Sequence, residues 1–372
     1  MQRRCSLPAR AACALLAIAA PCAAQSAFDA YGETYRPVTL PAAAAGSTST
    51  AGATLPDGRI LAVTGLGIYR ETGVGSGAFE LVATLDSAQM GATTDPAFIR
   101  VSPDGGRIAV GGGTDRPIAI FATSSLGTGA APATLTPGIA DYFHVPHFDA
   151  AWADSTRLAI TAGGSDLTSR ITLLDVTSAP ASPSNRTIID NIRGASGGIA
   201  FDSAGRLYTG NGYGDQPGWS ATGALRAFDA SVLDAPSPAD FETSGVLIGE
   251  VLSATSLTFD FEGNLFVGGG DFGEMDVGYL GVISGEAIAA ALAGLGPIDA
   301  SDPSQLRRLT PVADPFAFYG SAFNAVTGEA YVTYTDFFTG ETTWFATIPA
   351  PGGAAAAFTL GVLAAGRRRR HA

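Results

Sequence analysis

Residues 197–212 read GGIAFDSAGRLYTGNG, two short apolar runs separated by a polar stretch. The side chains of an extended strand alternate between its two faces, so Ile199 and Phe201 lie on one face and Ala200 on the other. The sequence SAGR at 203–206 contains a glycine and is suited to reversing the chain. The stretch therefore predicts a β-hairpin of two short strands.

This hairpin is the unit of a repeat. Copies of it, some of them weaker, occupy residues 53–65, 98–113, 150–164, 256–270 and 321–334. The turn glycines, or the residues that replace them, fall near positions 58, 105, 156, 205, 263 and 328. Their spacing of roughly 50 residues lies in the range that indicates propellers or solenoids. Two further strand-like runs follow each of the first five hairpins, which gives the four strands of a propeller blade.

The repeat predicts an all-β fold, a β-propeller of six four-stranded blades. The sixth unit contains only three strand-like runs, whereas residues 34–40, TYRPVTL, form a strand-like run without a hairpin partner. We expect this N-terminal strand to complete the last blade, because a closed ring leaves no exposed strand edge. Seven blades are the alternative, since residues 230–245 and 285–305 are long enough to contain more strands.

Two segments that follow the hairpins carry their own predictions. Residues 131–135, APATL, are expected to be the outer strand of the second blade. Residues 286–295, EAIAAALAGL, form a helix-like apolar run in the fifth unit that is too short to span a membrane. We expect this helix to pack across the edge of its blade.

The hairpins share a more specific pattern, in which an apolar run ends in an aspartate, a glycine follows three residues later, and a second apolar run begins. It is clearest at residues 199–210 and 257–268. This pattern resembles that of the broad NHL, YVTN and gluconolactonase-like superfamily of propellers, over most of residues 50–348. The resemblance implies the propeller fold but selects no activity, because members of the superfamily bind, scaffold or catalyse.

The N-terminus has the layout of a secretory signal peptide. Arginines at positions 3, 4 and 10 precede an apolar run at 11–20, and small residues follow at 22–24. The apolar run is too short for a hydrocarbon core of about 30 Å. We predict cleavage after Ala24, which leaves a propeller domain of residues 25–348. All three cysteines lie within the first 22 residues, so this domain has none to pair or to bind metal.

The C-terminus, residues 349–372, carries a second signal. A proline-containing motif is followed by an apolar stretch at 353–366 and by four arginines at 367–370. The order of these parts resembles the PEP-CTERM sorting signal of bacteria, with the motif at Pro349, Ala350 and Pro351; Ala350 stands where that family has glutamate. The resemblance implies transient contact with the inner membrane and cleavage by an exosortase-type processing enzyme. A plain C-terminal membrane anchor is the alternative.

Without its two ends the chain is strongly acidic. All 21 basic residues are arginine; three lie in the N-terminal segment and four in the C-terminal one, which leaves 14 against 34 Asp and Glu, a net charge of about −20. Such a surface repels nucleic acid and anionic lipid, and it favours cations or neutral glycans as partners. The alternative is that the acidity only keeps a secreted protein soluble.

Five aspartates fall a few residues after the second strand of a blade, so we expect them to share one rim of the ring. They are Asp115, Asp166, Asp215, Asp271 and Asp336. The sequence DFGEMD adds Glu274 and Asp276. Such a set of carboxylates suits Ca²⁺, which takes six to eight oxygen ligands. The alternative is that each aspartate only forms a turn by binding its own backbone, since no calcium loop of the D-x-D-x-D-G type is present.

Two more loops contain candidate ligand-binding residues. His144 and His147, in FHVPHF, could bind metal or act as acid and base, or they could simply pack in an aromatic loop. Tyr213 and Trp219, in NGYGDQPGW, could stack on a sugar ring. The sequence contains no serine nucleophile elbow, phosphate-binding loop or zinc-protease motif.

These features predict a monomeric, secreted or surface-sorted propeller that binds an extracellular polysaccharide or another envelope component without catalysis. One alternative is a Ca²⁺-dependent hydrolase or lactonase of the six-bladed class. The other is a purely structural envelope protein. No nucleic acid is expected as a partner, because the mature chain is so acidic.

Overall fold

The computed structural model describes fifteen stretches of the chain. They are residues 26–32, 34–41, 51–85, 98–111, 118–127, 133–135, 147–163, 168–176, 184–193, 197–211, 223–251, 254–269, 279–309, 317–336 and 339–347.

The chain forms a six-bladed β-propeller, as the repeat predicts. After β1 (Tyr35–Val38), blade 1 contains β2 (Ala51–Thr54), β3 (Ile60–Thr64), β4 (Gly67–Glu71) and β5 (Phe79–Leu85). Blade 2 contains β6 (Phe98–Val101), β7 (Arg107–Gly111) and β8 (Ile118–Ala122), and β9 (Ala133–Leu135) follows it. Blade 3 contains β10 (His147–Trp152), β11 (Arg157–Gly163), β12 (Thr168–Asp175) and β13 (Ser184–Arg193).

The last three blades repeat the same antiparallel order. Blade 4 contains β14 (Ile199–Phe201), β15 (Leu207–Gly210), β16 (Gly223–Phe228) and, after the two-residue β17 (Ala239–Asp240), β18 (Val246–Val251). Blade 5 contains β19 (Ser256–Phe259), β20 (Leu265–Gly269), β21 (Tyr279–Ile283) and β22 (Leu306–Arg308). Blade 6 contains β23 (Ala317–Phe323), β24 (Ala330–Asp336) and β25 (Thr342–Thr347). Among the described residues, the helices are α1 (Ala27–Ala30) and α2 (Gly285–Leu292), and 3₁₀ turns occupy Thr123–Ser125 and Ala230–Leu233.

The N-terminal strand completes blade 6, as expected. The strand order of this sheet is β1-β25-β24-β23, with Tyr35 opposite Thr347 and Val38 opposite Trp344. Arg36 reinforces the pairing through an ion pair of 2.6 Å with Glu329. The first strands of neighbouring blades touch all round the ring, and the hydroxyl of Thr54 in blade 1 donates to the carbonyl of Phe323 in blade 6 over 2.8 Å.

The hairpin turns explain the repeated pattern of aspartate and glycine. In blade 4, Oδ1 of Asp202 accepts from the backbone N–H groups of Ala204 and Arg206, each over 2.9 Å. Gly205 has φ of +78°, a conformation that side chains other than glycine rarely adopt. The Arg206 guanidinium then binds the other carboxylate oxygen over 2.7 Å. The aspartate side chain therefore stabilises the turn by accepting hydrogen bonds from the backbone N–H groups of the turn itself.

The core lies between the blades rather than within one layer. One apolar cluster contains Leu61 and Ile68 of blade 1 together with Ile99 and Ile108 of blade 2, all fully buried. Each sheet thus packs its faces against its neighbours, which fixes the ring as a single unit. Among the described residues no helix is long and apolar enough to cross a membrane.

The structure corrects one strand assignment and refines two segments. Ala133–Leu135 pairs in parallel with β5 of blade 1, so it is not the outer strand of blade 2. The long segment 230–245 does contain a short strand, β17, but it adds to the edge of blade 3 and forms no seventh blade. The predicted helix is α2; Ser284 caps it, and Ile288 and Ala291 pack into the cluster between blades 4 and 5.

Candidate functional site

The connections between successive strands leave each blade from its two ends. We call the end where second and third strands are joined the loop rim. The connections between second and third strands range from two residues, 65–66 in blade 1, to twelve, 211–222 in blade 4. The second longest, residues 270–278, has nine and belongs to blade 5. The two longest connections between second and third strands therefore leave neighbouring blades at this rim.

The opposite end carries the repeated hairpins, and we call it the hairpin rim. It consists of the turns between first and second strands, at residues 55–59, 102–106, 153–156, 202–206, 260–264 and 324–329. In an antiparallel meander the connections between third and fourth strands also leave from this end. Residues on the two rims are therefore separated by the length of a blade.

Most of the sequence-predicted site residues lie outside the described residues. They are Asp115, Asp166, Asp215, Asp271, Glu274 and Asp276 among the carboxylates, together with Tyr213, Trp219 and His144, and with Pro349, Ala350 and Pro351 of the sorting motif. His147 is the first residue of β10, where it lies opposite Ala162.

Asp336 is the predicted carboxylate that the structure describes. It is the last residue of β24, at the loop rim. Its Oδ1 accepts from the backbone N–H of Thr339 over 2.6 Å and from the hydroxyl of Thr339 over 3.0 Å. Its own N–H donates to the carbonyl of Glu341. These contacts are those of a turn-forming aspartate. Across the described residues, no three His, Cys, Asp or Glu side chains converge into a group that could hold a metal ion.

A partly buried ion pair that the sequence analysis missed joins the first strands of blades 2 and 3. The guanidinium of Arg100, on β6, donates to Oδ1 of Asp149, on β10. The same guanidinium donates through Nε to the carbonyl of Ala150 over 2.9 Å. In return, the indole of Trp152 donates to the carbonyl of Arg100 over 3.2 Å. The pair thus forms part of the seam between two blades.

Asp149 also contacts the neighbouring strand of its own blade and lies next to blade 4. Its N–H donates to the hydroxyl of Thr161 over 3.1 Å, and this hydroxyl donates to the carbonyl of Gly197 over 2.8 Å. Oδ2 of Asp149 is buried without a hydrogen-bond partner among the described residues. Burial raises the pKa of Asp149 to about 6, although the attraction of Arg100 opposes the shift. The group therefore titrates close to neutral pH.

The sequence contains a weak signal for this pair. Arg100 interrupts FIRV, an otherwise apolar inner strand, and Asp149 interrupts HFDAAW. Charged residues are rare at buried positions unless they are paired, so two such interruptions in consecutive inner strands indicate a partner across the seam. The alternation of apolar residues alone does not show which neighbour each charge meets.

Comparison with known proteins shows the fold of the chain but assigns the chain to no family. No protein-family model and no curated protein matches the sequence. Among solved structures, a luciferin-regenerating enzyme matches with a TM-score of 0.52 and 16% identity, over 86% of this chain and 96% of that one.

Two solved structures described as gluconolactonases also match. A protein of Xanthomonas campestris, described as a gluconolactonase important in glucose secondary metabolic pathways, has a TM-score of 0.50 and 13% identity, over 87% of this chain and 93% of that one. A putative gluconolactonase has a TM-score of 0.50 and 12% identity, over 84% and 91% of the two chains. At these identities the likeness shows the shared propeller body and nothing of the chemistry.

Proposed function

We propose that the protein is an exported, envelope-associated propeller whose loop rim binds an extracellular polysaccharide or another envelope component without catalysis. The observation that carries the proposal is that the two longest connections between second and third strands belong to neighbouring blades, 4 and 5, and leave at the same rim. The first of them contains Tyr213 and Trp219, and the second contains Asp271, Glu274 and Asp276.

This combination suits a sugar. An aromatic ring provides an apolar face that can lie against the C–H groups of a pyranose, while carboxylates accept hydrogen bonds from its hydroxyls. The net charge of about −20 in the mature chain, 14 Arg against 34 Asp and Glu, disfavours polyanions and leaves neutral glycans as the better partners. The signal peptide and the sorting tail, cut by an exosortase-type enzyme, would bring the protein to where such polymers lie.

Tryptophan fluorescence tests the proposal directly. The chain has three tryptophans, and Trp152 and Trp344 are buried in blade seams at 6% and 1% exposure. Titration of the mature chain with neutral and acidic bacterial polysaccharides should change the emission of Trp219, and Trp219→Ala should abolish binding. Trp152→Phe is the matched control and should bind as the original does. If none of the polymers binds, or if Trp219→Ala binds as the original chain does, the proposal is wrong.

A lactonase is the second candidate, and the fold matches to two proteins described as gluconolactonases favour it. On this view the carboxylates of the loop rim would hold a divalent cation that polarises a lactone carbonyl. An assay of glucono-δ-lactone hydrolysis, monitored through the release of protons with and without Ca²⁺, distinguishes the two candidates. Turnover that depends on Ca²⁺ and disappears in Asp271→Asn with Asp276→Asn would favour the enzyme; polysaccharide binding without turnover would favour the binding protein.

A further inference from the structure

The hairpin rim carries an apolar patch where blades 5 and 6 meet. Phe261, in the hairpin of blade 5, is 56% exposed, and its ring lies 5.7 Å from that of Phe323 in blade 6. Val326, in the next hairpin, is 45% exposed. We call these three residues the apolar patch. The hairpin of Val326 is joined to blade 1, because the side-chain amide of Asn324 donates to the carbonyl of Gly58 over 2.8 Å.

The other exposed large apolar residues of the described chain lie at the same end of their sheets, the hairpin rim. Val74, Val246 and Leu295 lie in or beside connections between third and fourth strands, and Leu295 is 81% exposed. Isolated apolar residues on a surface are ordinary, but two neighbouring phenylalanines and a valine on one rim suggest a covered face.

The chain itself leaves the propeller beside this patch. Thr347, the last residue of β25, donates its hydroxyl to the carbonyl of Ala330, and Ala330 lies opposite Phe323 in the sheet. Thr347 is thus two strands away from Phe323, about 10 Å at the usual strand spacing. The segment that follows is apolar at residues 353–366, where it contains Phe358, Leu360, Val362 and Leu363.

The charge and the length of this C-terminal segment also suit docking on the hairpin rim. Four arginines, 367–370, follow the apolar stretch, while Glu262 and Asp104 are exposed acidic residues of the hairpin rim. Nineteen residues, 348–366, separate Thr347 from the first of these arginines. They can reach about 60 Å when extended, which is ample for the distance across the ring. A tethered segment of this length acts at an effective concentration of roughly millimolar, so weak contacts suffice for docking.

We propose that the chain's own C-terminal segment, residues 353–370, docks on the hairpin rim with its apolar side chains on the apolar patch and its arginines against the acidic residues. Removal of the segment then uncovers a ready-made interaction face. The inference does not rest on glycan binding or lactonase activity, because both concern the opposite rim.

Disulfide trapping tests the docking, since the chain from residue 25 onward has no native cysteine. Val326→Cys combined with Leu360→Cys should form an intramolecular disulfide at least tenfold faster than Glu341→Cys combined with Leu360→Cys. Glu341 is the matched control because it is exposed on the same blade at the loop rim. Equal rates for the two pairs would overturn the proposal. Disulfides formed mainly between chains would replace it with docking on a second copy.

An apolar dye gives an independent measurement. The chain of residues 25–348 should bind 8-anilinonaphthalene sulfonate with several-fold more fluorescence than the chain of residues 25–372, and Phe261→Ser should reverse the gain. No gain on truncation would overturn the proposal. If the longer chain floats with phosphatidylcholine vesicles and loses its trapped disulfide there, the segment occupies the bilayer instead, which would also overturn it.

Discussion

The hydroxyl of Tyr31 donates a hydrogen bond of 2.9 Å to Oδ2 of Asp260, which joins the N-terminal segment to the hairpin of blade 5. Oδ1 of the same carboxylate accepts from the backbone N–H groups of Glu262 and Asn264, each over 2.8 Å. The Tyr31 ring is 1% exposed and packs edge-on against Phe266 at 4.9 Å. Burial, and next the charge of Asp260, raise the pKa of Tyr31 well above its usual range. The segment before β1 therefore ties blade 5 to the strand that closes blade 6.

Loss of this single hydroxyl should lower stability without changing the fold. Tyr31→Phe keeps the ring but removes the donor, while Asp260 retains the side-chain amide of Asn264 at 2.7 Å. We expect the free energy of unfolding to fall by about 1–3 kcal/mol, the usual cost of removing one partner of a buried hydrogen bond. Urea denaturation measures the change. An unaltered midpoint would show that the contact contributes nothing.

Loss of the whole segment should prevent closure. Deletion of residues 25–41 removes β1 and α1, exposes the edge of β25 and uncovers the apolar cluster of blade 5, including Phe266 and Leu280, in which Tyr31 and Phe28 are buried. We expect aggregation or failure to fold, because an unpaired edge invites pairing with another chain. Size-exclusion chromatography and thermal melting report the result. A soluble truncated monomer that melts with the full chain would contradict the prediction.

Asp149 should give stability an unusual dependence on pH. Its native pKa of about 6 lies above the value of about 3.9 in an unfolded chain, so the native state keeps the proton over a range where the unfolded state releases it. Its contribution to the unfolding free energy should therefore decrease as pH rises from about 4 to about 6, by about 3 kcal/mol, and stay constant above. Protonation stabilises this site.

The original chain must be compared with Asp149→Asn to isolate this term, because other carboxylates titrate in the same range. Asp104→Asn is the control: the hydroxyl of Ser102 lowers the pKa of Asp104, so its difference curve should have the opposite sign. Denaturant unfolding at a series of pH values gives both curves. Parallel curves for the original chain and Asp149→Asn would mean that Asp149 keeps an ordinary pKa.

Calcium should stabilise the protein if the carboxylates of the loop rim form a cation site. A ligand that binds only the native state adds about 2.7 kcal/mol to the free energy of unfolding when its concentration is a hundredfold above Kd, which moves a melting temperature visibly. We expect millimolar Ca²⁺ to raise Tm beyond NaCl of matched ionic strength, and Asp271→Asn with Asp276→Asn to reduce the gain. Asp299→Asn with Asp302→Asn removes the same charge from the other end of blade 5 and should leave the gain intact. Equal shifts with both salts would indicate screening.

The termini predict the mass of the mature protein. We expect it to start near Gln25 and to end near Pro351, because the N-terminal segment resembles a signal peptide and the C-terminal one a sorting signal. Intact-mass spectrometry of material from the native host would check both ends. Retention of the arginines 367–370 in mature surface protein would remove the sorting hypothesis.

The hairpin pattern was enough to predict the blades, because the turn chemistry is local. Glycines 58, 105, 205, 263 and 328 all have positive φ at the expected turns. The number of blades and the closing strand followed from counting these units. The partner of Ala133–Leu135 could not be predicted, since three residues of strand-like sequence contain no information on which sheet edge they join.

For the candidate sites too, local features could be predicted from the sequence, whereas contacts between blades could not. Asp336 was expected at the loop rim because its position depends only on where β24 ends, and it lies there. Its partner, Thr339, also follows within the same turn. The pairing of Arg100 with Asp149 was missed because it depends on how two blades face each other, about 50 residues apart. Contacts across a seam need the three-dimensional ring.

The pairing of β1 with β25 has a consequence for the order of events during biogenesis. Tyr35 is made early, yet its ladder partner Thr347 follows more than 300 residues later. At synthesis rates of roughly 5–20 residues per second, the first strand waits about 15–60 s for its partner to exist. Until then β1 has no strand to pair with, so the chain cannot complete its fold before its last strand emerges. If the chain is exported, as we propose, this delay keeps it unfolded for its passage through a translocation pore.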